Sequence, residues 1–74
     1  MNTPTDRLAD EIRAEMKRKR LTQERVAQAV GLSTGAYSSR LNGHTPWRFG
    51  EVEQVCAALD VDLADLIRKA RVAA

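Results

Sequence analysis

The 74-residue sequence contains few cysteine, histidine and aromatic residues. Cys56 is the only cysteine, so the chain cannot form an internal disulfide bond. One cysteine together with one histidine also cannot supply the four ligands of a structural zinc site. We therefore expect no metal, and we expect that neither a cross-link nor an ion stabilises the fold.

Long apolar segments are also missing from the sequence. The longest unbroken run, Val55 to Leu59, is far shorter than the roughly 18 residues that span a bilayer. Residues Met1 to Asp10 lack the apolar core of a secretion signal. We expect a cytoplasmic protein that makes no contact with a membrane.

No arrangement of residues that is typical of catalysis occurs. Paired carboxylates, a Ser/His/Asp set and a phosphate-binding loop are all absent from the sequence. Cys56 lies on an apolar helical stripe, which favours a small buried hydrophobe over a nucleophile. We predict that the protein is not an enzyme, and that it uses no cofactor and no small-molecule ligand.

The charges are segregated along the chain although the net charge is only +2. The segment from Arg13 to Arg48 holds eight basic residues against two acidic ones, whereas Phe49 to Ile67 holds five acidic residues and no basic one. Such a chain orients itself in the field of a polyanion. The alternative for Lys17 to Arg20 is a solvated helix end, because cations there complement the helix dipole.

The periodicity of apolar residues is helical throughout and predicts one all-α domain over residues 1–74. Three helix starts share a polar cap between two apolar residues five positions apart, at Thr22, Ser33 and Asp62. Gly31, Gly43 and Asp60 are placed where a helix ends in a left-handed residue. The predicted helices are about Asp6 to Lys19 with Thr5 as cap, Thr22 to Val30, Ser33 to Asn42, a fourth that follows Thr45-Pro46 and ends at Asp60, and Asp62 to Val72.

The apolar stripes of these helices predict a shared core, with Trp47 packed over its edge or placed in a dimer contact. The predicted core residues are Leu8, Ile12, Val26, Val30, Tyr37, Leu41, Phe49, Val52, Val55, Leu59, Leu63 and Leu66.

Two helices joined by a tight turn that contains glycine form a unit that can place its second helix in a DNA major groove. The segment Leu21 to Gly43, LTQERVAQAVGLSTGAYSSRLNG, resembles the helix-turn-helix of the Cro/CI-type phage repressors. The resemblance implies a five-helix, lambda-repressor-like DNA-binding domain with the helix-turn-helix at helices 2 and 3. It rests on Thr22-Gln23, Ala27, Gly31 and Asn42-Gly43, and it departs from the pattern at Arg25 and Arg40, where the family often has Glu and an apolar residue.

The third helix supplies the candidate base-reading residues. If Tyr37 and Leu41 point inward, small side chains occupy the opposite face and allow the backbone to approach the groove closely. Direct discrimination then falls mostly to Thr34, Ser38, Ser39 and Arg40. The residues predicted to face the bases are Ser33, Thr34, Gly35, Ser38, Ser39 and Arg40.

Contacts to the DNA backbone are implied by the resemblance at the start of the second helix and after the third. Gln23 and Asn42 match positions that contact the DNA backbone in the family. The resemblance implies that the segment from His44 to Arg48 lies along the same DNA strand. Arg18 and Arg20 could reach the backbone from the end of the first helix. The full set expected to contact phosphates is Arg18, Arg20, Gln23, Asn42, His44, Thr45 and Arg48.

These observations favour a sequence-specific transcriptional repressor that binds a palindromic double-stranded DNA operator in a bacterial cell. An architectural or recombination-directing DNA-binding factor and an antitoxin-like interaction module remain as alternatives. One recognition helix covers too few base pairs, so we expect a homodimer on DNA that associates weakly when free. Candidate dimer surfaces are the Trp47 loop and the outer side of the fifth helix near Ile67, Arg71 and Val72. The ending Val72-Ala73-Ala74 resembles sequences read by bacterial proteases, and the alternative is a frayed helix end.

Overall fold

The computed structural model describes residues 4–72, and the side chains of residues 7–71, as a bundle of five α-helices. The described residues include no strand, which confirms the all-α prediction. Residues 73 and 74, which belong to the ending compared with sequences that proteases read, lie outside the described residues. The helices are α1 (Pro4–Arg18), α2 (Gln23–Ala29), α3 (Thr34–Leu41), α4 (Phe49–Leu59) and α5 (Leu63–Val72).

Local side-chain bonds fix most of the helix starts where the sequence predicts them. The hydroxyl of Thr22 accepts a bond from the Arg25 amide at 3.2 Å, and that of Ser33 accepts from the Ala36 amide at 3.1 Å. Asp62 accepts from the Ala64 amide at 2.9 Å. Such caps satisfy amides that have no partner inside the helix.

The predicted start of α1, about Asp6, is two residues too late. The helix begins at Pro4, so Thr5 lies inside α1 and is not its cap. Proline is well suited to the first position of a helix, because its fixed φ is helical and its missing N–H is not needed there.

Four helices end in the same backbone motif, in which a left-handed residue allows two final amides to bond back to the last turn. The sequence predicted this conformation at Gly31, Gly43 and Asp60, and the structure confirms all three. Arg20 adopts it as well, with φ 56°. The fourth case was not foreseen because arginine has no preference for this region of φ/ψ space.

The core lies where all five helices meet. Its buried side chains include most of the predicted set, together with the small or flexible residues Ala9, Met16, Ala27 and Ala70. Leu8 and Leu63 are half-buried and pack against the core. Cys56 is buried, as predicted.

Phe49 is a correction to the predicted core, because its side chain is 68% exposed. It is the first residue of α4, one turn before the buried Val52. Trp47 occupies the core edge instead and meets Tyr37 edge-on, with ring centroids 5.9 Å apart.

The packing leaves α2 and α3 together at one side of the bundle. The first helix packs along α5, while α2 packs against α3 and α4. Within residues 4–72, no helix combines the length and hydropathy that crossing a membrane requires.

Candidate nucleic-acid interface

The α2–α3 pair has the tight connection that the sequence predicts. Only four residues, Val30 to Ser33, separate the two helices, and Gly31 takes the left-handed conformation within them with φ 75°. Val26 and Ala27 of α2 are buried. Tyr37 and Leu41 point into the core, so α3 is anchored along one face.

The outer face of α3 carries small residues whose polar groups differ in availability. Thr34 and Gly35 are exposed at the start of the helix. Ser33 is exposed, but its hydroxyl already accepts the capping bond. The hydroxyl of Ser39 lies 2.7 Å from that of Thr45, and Ser38 accepts a 3.3 Å bond from Asn42.

Gly35 is not required by the fold itself. A Cβ atom at this position would meet no described heavy atom within 4 Å, and the residue does not have positive φ. A glycine inside a helix costs about 0.5–1 kcal/mol relative to alanine. The folded chain gains nothing that offsets this cost.

Arg40 lies on the flank of α3 that faces α4, where it forms an ion pair. Its Nε donates to Oε1 of Glu51 at 2.7 Å, and its Nη1 donates to the carbonyl of Ala36 at 3.0 Å. The bond from Arg40 lowers the pKa of the Glu51 carboxyl. The sequence predicts this guanidinium beside the groove, and in the structure it is paired with Glu51. A base contact by Arg40 stays a prediction that requires the ion pair to open.

The loop after α3 carries several of the expected backbone contacts. Asn42 ends α3 and is exposed, as are His44 and Arg48, while Thr45 is half-buried. From α1, Arg13 donates to Oδ1 of Asn42 at 2.6 Å. The sequence analysis missed Arg13, whose only signal was its place in the basic segment. Its side chain is 40% exposed, which leaves donors available at the edge of the site.

The cations at the end of α1 and in α2, together with the uncharged Gln23, divide into two groups. Arg20 and Arg25 are exposed before and within α2, and Gln23 is half-buried at the start of that helix. Arg18 instead pairs with the buried carboxylate of Glu15, and it lines a cleft of about 390 Å³. The acidic residues Asp60, Asp62 and Asp65 line the same cleft. This environment opposes a phosphate, so the position of Arg18 does not favour the expected contact.

The described residues contain no group of three or more His, Cys, Asp or Glu side chains that could hold a metal ion. Burial raises the pKa of the Cys56 thiol, with a smaller contribution from Asp62, and this disfavours the nucleophilic thiolate.

Comparisons with known proteins agree with this geometry. A family model described as a helix-turn-helix domain matches residues 7–70. The fold is similar to the crystal structure of the clp gene regulator ClgR from C. glutamicum, with a TM-score of 0.88 and 23% sequence identity. The similarity covers 99% of this chain and 95% of that chain. No curated protein matches the sequence.

Proposed function

This chain belongs to the helix-turn-helix domain family, and on that premise we propose that it is a transcriptional repressor that binds a palindromic DNA operator. The observation that carries the proposal is the outer face of α3, which is exposed at Thr34 and Gly35 and half-buried at Ser38 and Ser39. The side chains of this face are small, and the opposite face of the helix is anchored in the core. Exposed cations lie before, within and after the α2–α3 pair. A helix of this kind fits a major groove, and the cations suit the flanking phosphates.

In the proposed complex, α3 reads base edges and its neighbours contact the backbone. Thr34, Ser38 and Ser39 supply hydroxyl groups, while Gly35 and the exposed end at Ser33 allow close approach of the backbone. The proposed contacts to phosphates come from Arg13, Arg20, Gln23, Asn42, His44, Thr45 and Arg48.

We also propose that two copies bind the operator with two-fold symmetry. Their α3 helices would lie about 34 Å apart, which matches half-site centres roughly 10–10.5 base pairs apart. Phe49 extends the apolar surface of the Trp47 loop, and Ile67 exposes 38% of its surface on α5. These small separate patches favour association on DNA over a stable free dimer.

Selection from a pool of random duplexes, followed by footprinting of the enriched sequence, tests the function. We expect a palindrome with two short protected half-sites. A long periodic footprint would favour an architectural or recombination-directing factor instead. If no duplex is enriched and no protection is seen, the chain is an interaction module, such as an antitoxin.

The phosphate contact of Arg48 gives a quantitative prediction. Arg48→Ala should weaken binding to the selected duplex and to a scrambled duplex alike, and should reduce the salt slope of log K by about 1. Titrations at several salt concentrations measure this slope. Arg68→Ala is the matched control, because it removes the same charge from α5. Equal slopes for the two variants would rule out the contact.

A further inference from the structure

The ion pair between Arg40 and Glu51 connects the last turn of α3 to the first turn of α4. Both side chains are partly buried, with 12% and 13% of their surface exposed. The guanidinium is held at two points, by the carboxylate at 2.7 Å and by the Ala36 carbonyl at 3.0 Å. Two bonds to a partly buried guanidinium restrict its orientation more than a single exposed ion pair would.

Glu51 has a second bond that extends this connection to the loop. The same Oε1 atom accepts from the backbone amide of Arg48 at 2.9 Å, which caps the start of α4. One carboxylate therefore links the end of α3, the last residue of the α3–α4 loop and the first turn of α4. In the proposed function, α3 and the loop bind the same duplex. The helix α4 is linked to both of them through this carboxylate.

We propose that Arg40 and Glu51 are positioning residues that fix the orientation of α3 relative to the loop at residues 42–48. In this role Arg40 acts through Glu51 and does not read a base. The inference rests on the proposed function, because the outer face of α3 and Arg48 must meet the same DNA together. If α3 rotated slightly against the loop, base contacts and backbone contacts could not form at the same time. Residues that hold the two segments rigidly prevent this rotation.

Removing the charge of Glu51 tests the proposal, because simple electrostatics predicts the opposite sign. Glu51→Gln removes one negative charge near DNA and should, by Coulomb attraction alone, tighten binding. Positioning instead predicts about tenfold weaker binding to the selected duplex. Glu53→Gln is the matched control, since Glu53 is an exposed carboxylate on the same helix. Tighter or unchanged binding by Glu51→Gln would overturn the proposal.

A second variant separates positioning from base reading. Arg40→Leu combined with Glu51→Leu replaces the pair with apolar side chains, an exchange that buried ion pairs often tolerate. Because the links through Glu51 are lost in both cases, we expect this variant to bind the selected duplex about as weakly as Glu51→Gln, with the loss spread over the base pairs of each half-site. A folded double variant whose preference is lost at a single base pair per half-site would show that Arg40 reads that base.

Thermal unfolding followed by circular dichroism accompanies each titration, and binding is measured well below each unfolding midpoint. The failure of the proposed function is distinguishable from the failure of this inference. In the first case the unaltered chain enriches no duplex. In the second it binds its selected duplex, but the variants depart from the expected order.

Discussion

The helices α3 and α4 are neighbours that use their side chains in opposite ways. Two of the eight residues of α3, Tyr37 and Leu41, are buried. In α4, four of eleven residues are buried and form a continuous stripe. The helix α3 therefore buries few residues; it packs against α2 and α1, and the ion pair links it to α4. The surface that we propose for DNA and the surface that stabilises the fold belong to different helices.

The largest expected effect separates these two uses. Leu59 of α4 is fully buried, so Leu59→Ala should reduce the free energy of unfolding by about 2–5 kcal/mol. A domain of this size has only about 3–5 kcal/mol in its core, so the variant would lose a large part of its stability. Urea denaturation followed by circular dichroism measures the change.

Thr34→Ala is the counterpart on the exposed face of α3. It should change the free energy of unfolding by no more than about 0.5 kcal/mol and still weaken binding to the selected duplex. If Thr34→Ala lowers the free energy of unfolding as much as Leu59→Ala does, the outer face of α3 also stabilises the fold and the two helices do not differ in this way.

Tyr37, the main anchor of α3, makes this attachment sensitive to alkaline pH. Burial raises its pKa from 10.0 to about 12, and the Arg13 charge opposes the shift only in part. Because the folded state favours the neutral phenol, its contribution to stability is complete below pH 10 and is lost as the pH rises to about 12.

Tyr37 is the only tyrosine, so tyrosinate absorbance reports this ionisation alone. Stability measured against pH should fall more steeply for the unaltered chain than for Tyr37→Phe over this interval. The burial argument fails if the phenol titrates near pH 10 while circular dichroism shows a folded chain.

A small expected effect on stability comes from two glycines in comparable surroundings. Gly35 in α3 and Gly50 in α4 both have open space where a Cβ would lie. Alanine at either position should stabilise the free domain by about 0.5–1 kcal/mol. Only Gly35→Ala should weaken binding to the selected duplex, because its methyl group would meet the groove. Equal binding by both variants would remove the argument for close approach at Gly35.

The parts of the fold that depend on short-range interactions could be predicted from the sequence. The caps at Thr22 and Ser33 and the turn at Gly31 involve residues only a few positions apart, so a pattern of neighbours determines them. The α2–α3 unit follows from these signals together with the apolar stripe.

The places of Phe49, Arg40 and Arg18 depend instead on which helix lies opposite. The stripe of α4 does not reveal that its first turn has no neighbour to cover Phe49. Nothing near Arg40 in the sequence shows that Glu51, eleven residues later, lies within bonding distance. For the same reason the acidic cleft beside Arg18 could not be foreseen.

The edge-on contact of Trp47 with Tyr37 gives the domain an internal optical probe. The chain has one tryptophan and one tyrosine, and their rings are 5.9 Å apart at an interplanar angle of 75°. Light absorbed by the tyrosine is therefore passed to the tryptophan while the α3–α4 loop is docked. The indole Nε1 is buried without a hydrogen-bond partner among the described residues, so we expect the emission of an apolar site. The fluorescence of the unlabelled protein should thus report the position of the loop next to α3.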